Sequence, residues 1–194
     1  MAYSINTLNA QSVWTRLFRA LFALFIVGLN ITPGSAEPTI PEYKLKAVFL
    51  FRFTEYIDWP AGAFDGDDRP FVIGIYGTDP FGEFLDQTVQ SEKVKGRPVK
   101  VRRFQSLDEI TSCHMLYVSS SAGGQVPAIL DKVKHRPILT VSDSPNFARR
   151  GGMICFVRNG SHVGFRINVN AAKQARLTIS AKLLQIAEVV STTK

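Results

Sequence analysis

Cysteine, histidine and recognisable catalytic spacing are all scarce in this chain, and its first 36 residues contain no Asp or Glu. There are two cysteines and three histidines in 194 residues. His114, His135 and His162 share no ligand spacing with one another or with Cys113 and Cys155, so no metal site is expected. Cys113 and His114 are neighbours on a strand-like run and would face opposite ways. There is no Gly-x-Ser-x-Gly elbow, dinucleotide fingerprint or Walker loop. Ser119, His162 and Asp143 form a triad only on paper, an expected coincidence among so many Ser and Asp residues. These gaps point to a protein that is not an enzyme and carries no cofactor.

The acid-free opening has its own pattern. Arg16 and Arg19 precede an apolar run over 20–29, which Pro33 closes ahead of Gly34-Ser35-Ala36. That order reads as a secretory signal peptide over 1–36, cleaved after Ala36. The run is too short for a membrane-spanning helix, which needs roughly 20 apolar residues. No stable membrane insertion is expected after cleavage. No Cys follows the run to accept a lipid, and the two arginines are not adjacent as a twin-arginine signal requires. Removing 36 of 194 residues leaves 158, a suitable size for one domain over 37–194. The leader also takes two of the 23 basic residues, leaving 21 against 16 acidic ones, a net charge of +5. The basic residues are scattered and lack aromatic interleaving, so no nucleic-acid partner is expected.

Pro41 to Ile57 reads as a helix with Leu45, Val48, Phe49, Phe53, Tyr56 and Ile57 on one stripe. Leu50 and Phe51 widen that stripe, so the helix either packs on two sides or offers an apolar face to a partner. Strand-like runs follow at 71–76, 99–104, 115–118 and 137–141, with helices read over 81–89 and near 126–133. Asp79 is read as an N-cap. Asn159-Gly160 signals a hairpin between 153–158 and 162–169, and Asn170 is read as capping a final helix. The alternation predicts an α/β fold. It is a three-layer α/β/α sandwich with a mixed, mostly parallel sheet of about six strands and a C-terminal helix.

In open sheets of this kind ligands settle at the carboxyl ends of the strands. Ser119 and Ser120 follow one strand there and Ser142 and Asp143 another, marking a candidate crevice for a small molecule. Cys113 and Cys155 would close a loop of about 42 residues if bridged, worth roughly 4 kcal/mol. The alternative is two buried thiols acting as small apolar residues. That reading is favoured, since nothing in the sequence shows that the side chains can meet.

Several motifs, in order, carry a resemblance to a known family. They are Tyr43 to Pro60, Gly77-Thr-Asp-Pro-Phe-Gly82, Cys113-His-Met-Leu-Tyr-Val118, Leu139-Thr-Val-Ser-Asp143, Phe147 to Met153, and Phe165-Arg-Ile-Asn168 leading on to Ile179–Leu184. Together they resemble the YfiR-like periplasmic regulators. The resemblance implies binding to the periplasmic domain of an inner-membrane diguanylate cyclase, restraint of cyclic-di-GMP synthesis and biofilm formation, and homodimerisation. It also implies a disulfide from the Cys113 position to a cysteine near the first strand, but 71–76 holds none. For the partner interface, Phe51 and Trp59 are the first candidates, with core packing as their alternative. Arg149, Arg150 and Arg166 come second, since aromatics and arginine carry interface hot spots.

Overall fold

Runs of β-branched and aromatic residues set the sheet. This computed structural model describes residues 40–193 apart from 65, 67, 68 and 161, and the leader read at 1–36 lies outside them. The first half of the described chain gives α1 (Ile40–Phe53), β1 (Ile57–Asp58), β2 (Phe71–Tyr76), α2 (Glu83–Val89), β3 (Lys93–Val94) and β4 (Arg97–Phe104). The middle gives β5 (Met115–Val118), α3 (Val126–Val133), β6 (Leu139–Ser142), β7 (Ile154–Asn159) and β8 (His162–Asn168). The chain ends with α4 (Val169–Gln174), β9 (Thr178–Ile179), α5 (Ala181–Gln185) and β10 (Glu188–Val190).

The main sheet has eight strands in the order β10-β8-β7-β6-β5-β2-β4-β3, two more than expected. Its centre is parallel, from β4 across β2, β5 and β6 to β7. The Asn159-Gly160 turn adds β8 antiparallel to β7, with Asn159 opposite His162. β1 and β9 form a separate antiparallel pair. Successive residues of the central strands serve opposite faces. Ile73, Ile75, Met115, Tyr117, Leu139 and Val141 join one core cluster with Leu50 and Phe53 of α1 and Leu85 of α2. Val72, Leu116, Val118 and Cys155 join the other with Val126, Ile129 and Val133 of α3. Two cores with a sheet between them make the α/β/α sandwich.

Three local readings are corrected. The opening helix stops at Phe53 rather than continuing to Ile57, because Ile57 and Asp58 are drawn into pairing with Ile179 and Thr178. The final helix breaks into α4 and α5. Asn168, not Asn170, caps α4 through Oδ1, which accepts from Ala171 N at 3.0 Å. Arg176 then turns left-handed at φ 59°, and β9 precedes a new cap at Ser180. Asp79 does not cap α2, a place taken by Gly82. It accepts instead from Phe81 N at 2.8 Å and from Arg103 Nε at 2.9 Å.

Cys113 and Cys155 are both free and buried, so the alternative of a bridge between them is set aside. Cys155 sits opposite Ser142, while Met115, two residues beyond Cys113, sits opposite Leu139. The pair is thus separated by about 10 Å across the sheet and a further ~16 Å along it. A disulfide needs Cα atoms within about 7 Å. On β2 the residue nearest Cys113 is Gly74. A Cβ on Gly74 would meet Cys113 Sγ at 3.1 Å, but the Phe104 ring at 2.2 Å already fills that space.

Candidate functional site

The first turns of helix α1 reach the carboxyl end of β6, and their polar residues fill the edge where a ligand crevice was expected. Lys46 is almost wholly buried, with 5% of its side chain exposed. Its ammonium sits 2.9 Å from Glu42 Oε1 one turn back, and 3.0 Å from Asp143 Oδ2 just beyond β6. The Tyr43 hydroxyl donates to the same Asp143 oxygen at 3.0 Å, and the Lys46 ammonium lies 4.6 Å from the Tyr43 ring centre. Arg158 on β7 approaches Glu42 Oε2 at 3.6 Å. Below this network the Tyr43 ring meets Phe81 edge-on, and Phe81 meets Tyr117 at 4.7 Å. Burial, reinforced by the charge of Asp143, pushes the Tyr117 phenol far above its ordinary pKa, so it stays neutral.

The serines of the expected crevice are spent on the backbone. Ser142 Oγ donates to Val118 O at 2.6 Å and accepts from Ser144 N at 2.9 Å. Ser119 caps the 3₁₀ turn Ser120–Gln125, and Ser120 is exposed on that turn. Asp143 does reach the predicted edge, but α1 has taken its carboxylate. An open crevice at Ser119, Ser120, Ser142 and Asp143 is therefore corrected to a closed polar junction. Among the described residues no group of three or more His, Cys, Asp or Glu side chains is placed to hold a metal.

The model of one family, described as YfiR/HmsC-like, matches residues 43–188 and so spans this fold from α1 to β10. The chain belongs to the YfiR/HmsC-like family. No curated protein matches it. Among solved structures, it is similar to an ABC domain in complex with L-Trp from Streptococcus pneumonia. The identity is 15% over 62% of this chain and 56% of that one, with a TM-score of 0.44. It is also similar to a ligand-free, open substrate-binding protein with adhesive properties from Clostridium difficile. There the identity is 11% over 63% of this chain and 55% of that one, with a TM-score of 0.45. This chain spans little more than half the length of either.

In this YfiR/HmsC-like chain Phe51 and Trp59 are core residues, only 7% and 5% exposed, which corrects their reading as surface contacts. Trp59 lies edge-on to Phe71 at 5.2 Å, and its Nε1 donates to His114 O at 3.3 Å. Arg166 and Arg149 meet at Glu188, at 2.9 and 3.9 Å, while Arg150 reaches Gly123 O at 3.5 Å. The apolar surface lies elsewhere on α1. Leu45 and Val48, both on the apolar stripe of α1, are 44% and 39% exposed. Beside them Phe49, Arg52, Tyr56, Phe165, Leu183 and Ile186 line a groove of about 180 Å³ between α1 and α5. The excess width of the α1 stripe was the sequence signal for this surface. On the α5 wall, Leu183 and Ile186 fall on one apolar face of what reads as a single C-terminal helix, which gives no sign of the break at β9.

Proposed function

We propose that this chain is a non-enzymatic periplasmic regulator. It binds the extracytoplasmic part of an inner-membrane diguanylate cyclase and so lowers cyclic-di-GMP. Membership of the YfiR/HmsC-like family supports a regulatory role. The observation that carries the binding reading is the apolar surface of α1. Leu45 and Val48 stand exposed next to the Phe49–Ile186 groove, on a helix whose opposite side is locked to the sheet. Contiguous exposed apolar side chains rimmed by polar ones mark protein-binding surfaces. Arg52 and Tyr56 at the groove are of the residue types that anchor interfaces.

The test is cellular cyclic-di-GMP in the native host. Deleting the gene should raise it, and an exported copy should restore it. A copy lacking residues 1–36 should not, nor should an exported, folded copy carrying Leu45→Glu and Val48→Glu. An unchanged level on deletion would overturn the regulatory reading. Full restoration by the double variant would overturn the proposed surface.

A further inference from the structure

An open cleft of about 560 Å³ lies between α3, the Arg150–Gly151 turn and α4. That volume is within the range of small-molecule sites. A smaller recess of about 40 Å³ shares Leu130, Gly151 and Ala171 with the cleft and is lined further by Val133, Met153 and Ala175. The floor is therefore apolar, and Val133, Met153, Ala171 and Ala175 on it are buried. Gly151 takes φ 102°, a conformation that other residues rarely adopt, and a Cβ there would touch Leu130 Cδ1 at 3.8 Å.

The mouth is polar, and its cations are uncommitted. Lys134 lines it just past the end of α3, and Arg150 lines it from the turn. Both residues are exposed, and among the described residues neither forms an ion pair. Arg150 donates from Nη1 to Gly123 O at 3.5 Å, which leaves most of its five N–H groups for another partner. Gln174 also stands at the rim, where its backbone oxygen meets His135 Nδ1 at 3.4 Å and its side-chain amide stays exposed. Asp131 is the single carboxylate among the described lining residues. It is exposed, so water weakens its opposition, and the two cations outnumber it.

An apolar floor below a cationic rim is complementary to a molecule with an apolar chain and an anionic head. Lys134, Arg150 and Asp131 together leave a single positive charge at the mouth, which matches a monoanion rather than a phosphate dianion. The guanidinium fork suits the two oxygens of a carboxylate, and the chain gains by leaving water. We propose that this cleft binds a small amphipathic carboxylate. Its chain lies on the floor between Leu130 and Met153, and Lys134 and Arg150 hold its head. Because the cleft is open and Asp131 opposes the anion, the expected affinity is modest.

The test is titration of the purified, isotopically labelled protein with sodium octanoate at constant ionic strength, read by amide chemical shifts. Saturable millimolar binding is expected, with shifts centred on residues 127–134, 150–151 and 171–175. Acetate, which lacks the chain, and octylammonium, which reverses the charge, should each bind about ten-fold more weakly or not at all. Arg150→Gln with Lys134→Gln should weaken octanoate by a similar factor. Both positions are exposed, and the dispersion of the amide spectrum checks the fold. If the double change disturbs it, Arg150→Lys, which keeps the charge but loses the fork, should still weaken binding. Shifts that do not saturate, shifts centred instead on the α1–α5 groove, equal affinity for octylammonium, or full affinity in the folded variant overturns the proposal. The assay contains no protein partner, so its outcome is separate from that of the cyclase reading.

Discussion

The two halves of α1 are fastened to the same sheet by different chemistry. Toward its C-terminus Phe49 and Phe53 interlock with Phe156 and Phe165, ring centres 5.2 to 6.3 Å apart. Toward its N-terminus Lys46 bridges Glu42 and Asp143, and the Tyr43 hydroxyl donates to Asp143. The aromatic half is stabilised by apolar area and dispersion, which accumulate whatever the details of the contact. The charged half gains little net energy, because desolvating the ions offsets much of their attraction. It contributes register instead. A shift of α1 by one residue would strand an ammonium and two carboxylates in the interior, whereas the phenylalanines could repack.

Emptying the aromatic half should have the largest effect. Phe53 is essentially inaccessible, so Phe53→Ala should cost about 4 kcal/mol, the usual range for such a cavity being about 3–5. Urea denaturation should show this as a lower midpoint at unchanged slope. A loss below about 1.5 kcal/mol would mean that the two halves are not fastened as differently as their contacts indicate.

The charged half should fail in a different manner. Lys46→Met leaves Asp143 buried without its cation and Glu42 with only the longer contact to Arg158, and should cost about 3 kcal/mol. Adding Asp143→Asn to it removes one stranded charge, so the double variant should be more stable than Lys46→Met alone. Denaturation of the two single variants and the double gives the coupling energy directly. Additive losses would show that the network is not a unit.

The contrast also explains what the sequence could reveal. The central strands, α3 and the Asn159-Gly160 hairpin were legible because periodicity and turn chemistry are local. Lys46 was not. A lysine between aromatic residues reads as an exposed position, and its burial depends on Asp143, 97 residues away. The C-terminal helix was misread for a similar reason, since β9 exists only through its pairing with β1, more than a hundred residues earlier. Topology puts Ser142 and Asp143 at the carboxyl end of β6, which is where they lie. No local signal says that a helix near the start of the described chain returns to close that edge.

An exposed ion pair gives the smallest expected effect and sharpens the charged side of the comparison. Arg103 on β4 contacts Asp86 on α2 at 2.5 Å, with 36% and 45% of the two side chains exposed. The hydrogen bond from Arg103 to Asp86, followed by the charge of Arg103, holds the Asp86 carboxyl below its ordinary value, although partial burial opposes this. Solvent screens such a pair, so Asp86→Asn should cost less than about 1 kcal/mol at pH 7. The folded pKa lies below the unfolded one, so this contribution is complete above the ordinary Asp value of 3.8 and fades as pH falls through the lowered one. Urea midpoints of parent and variant should therefore differ slightly at pH 7 and converge only as the pH falls below the ordinary Asp value. A difference as large as that of Lys46→Met would show that burial does not separate the two ion pairs. Convergence already at pH 5 would show that Asp86 is not held low by Arg103.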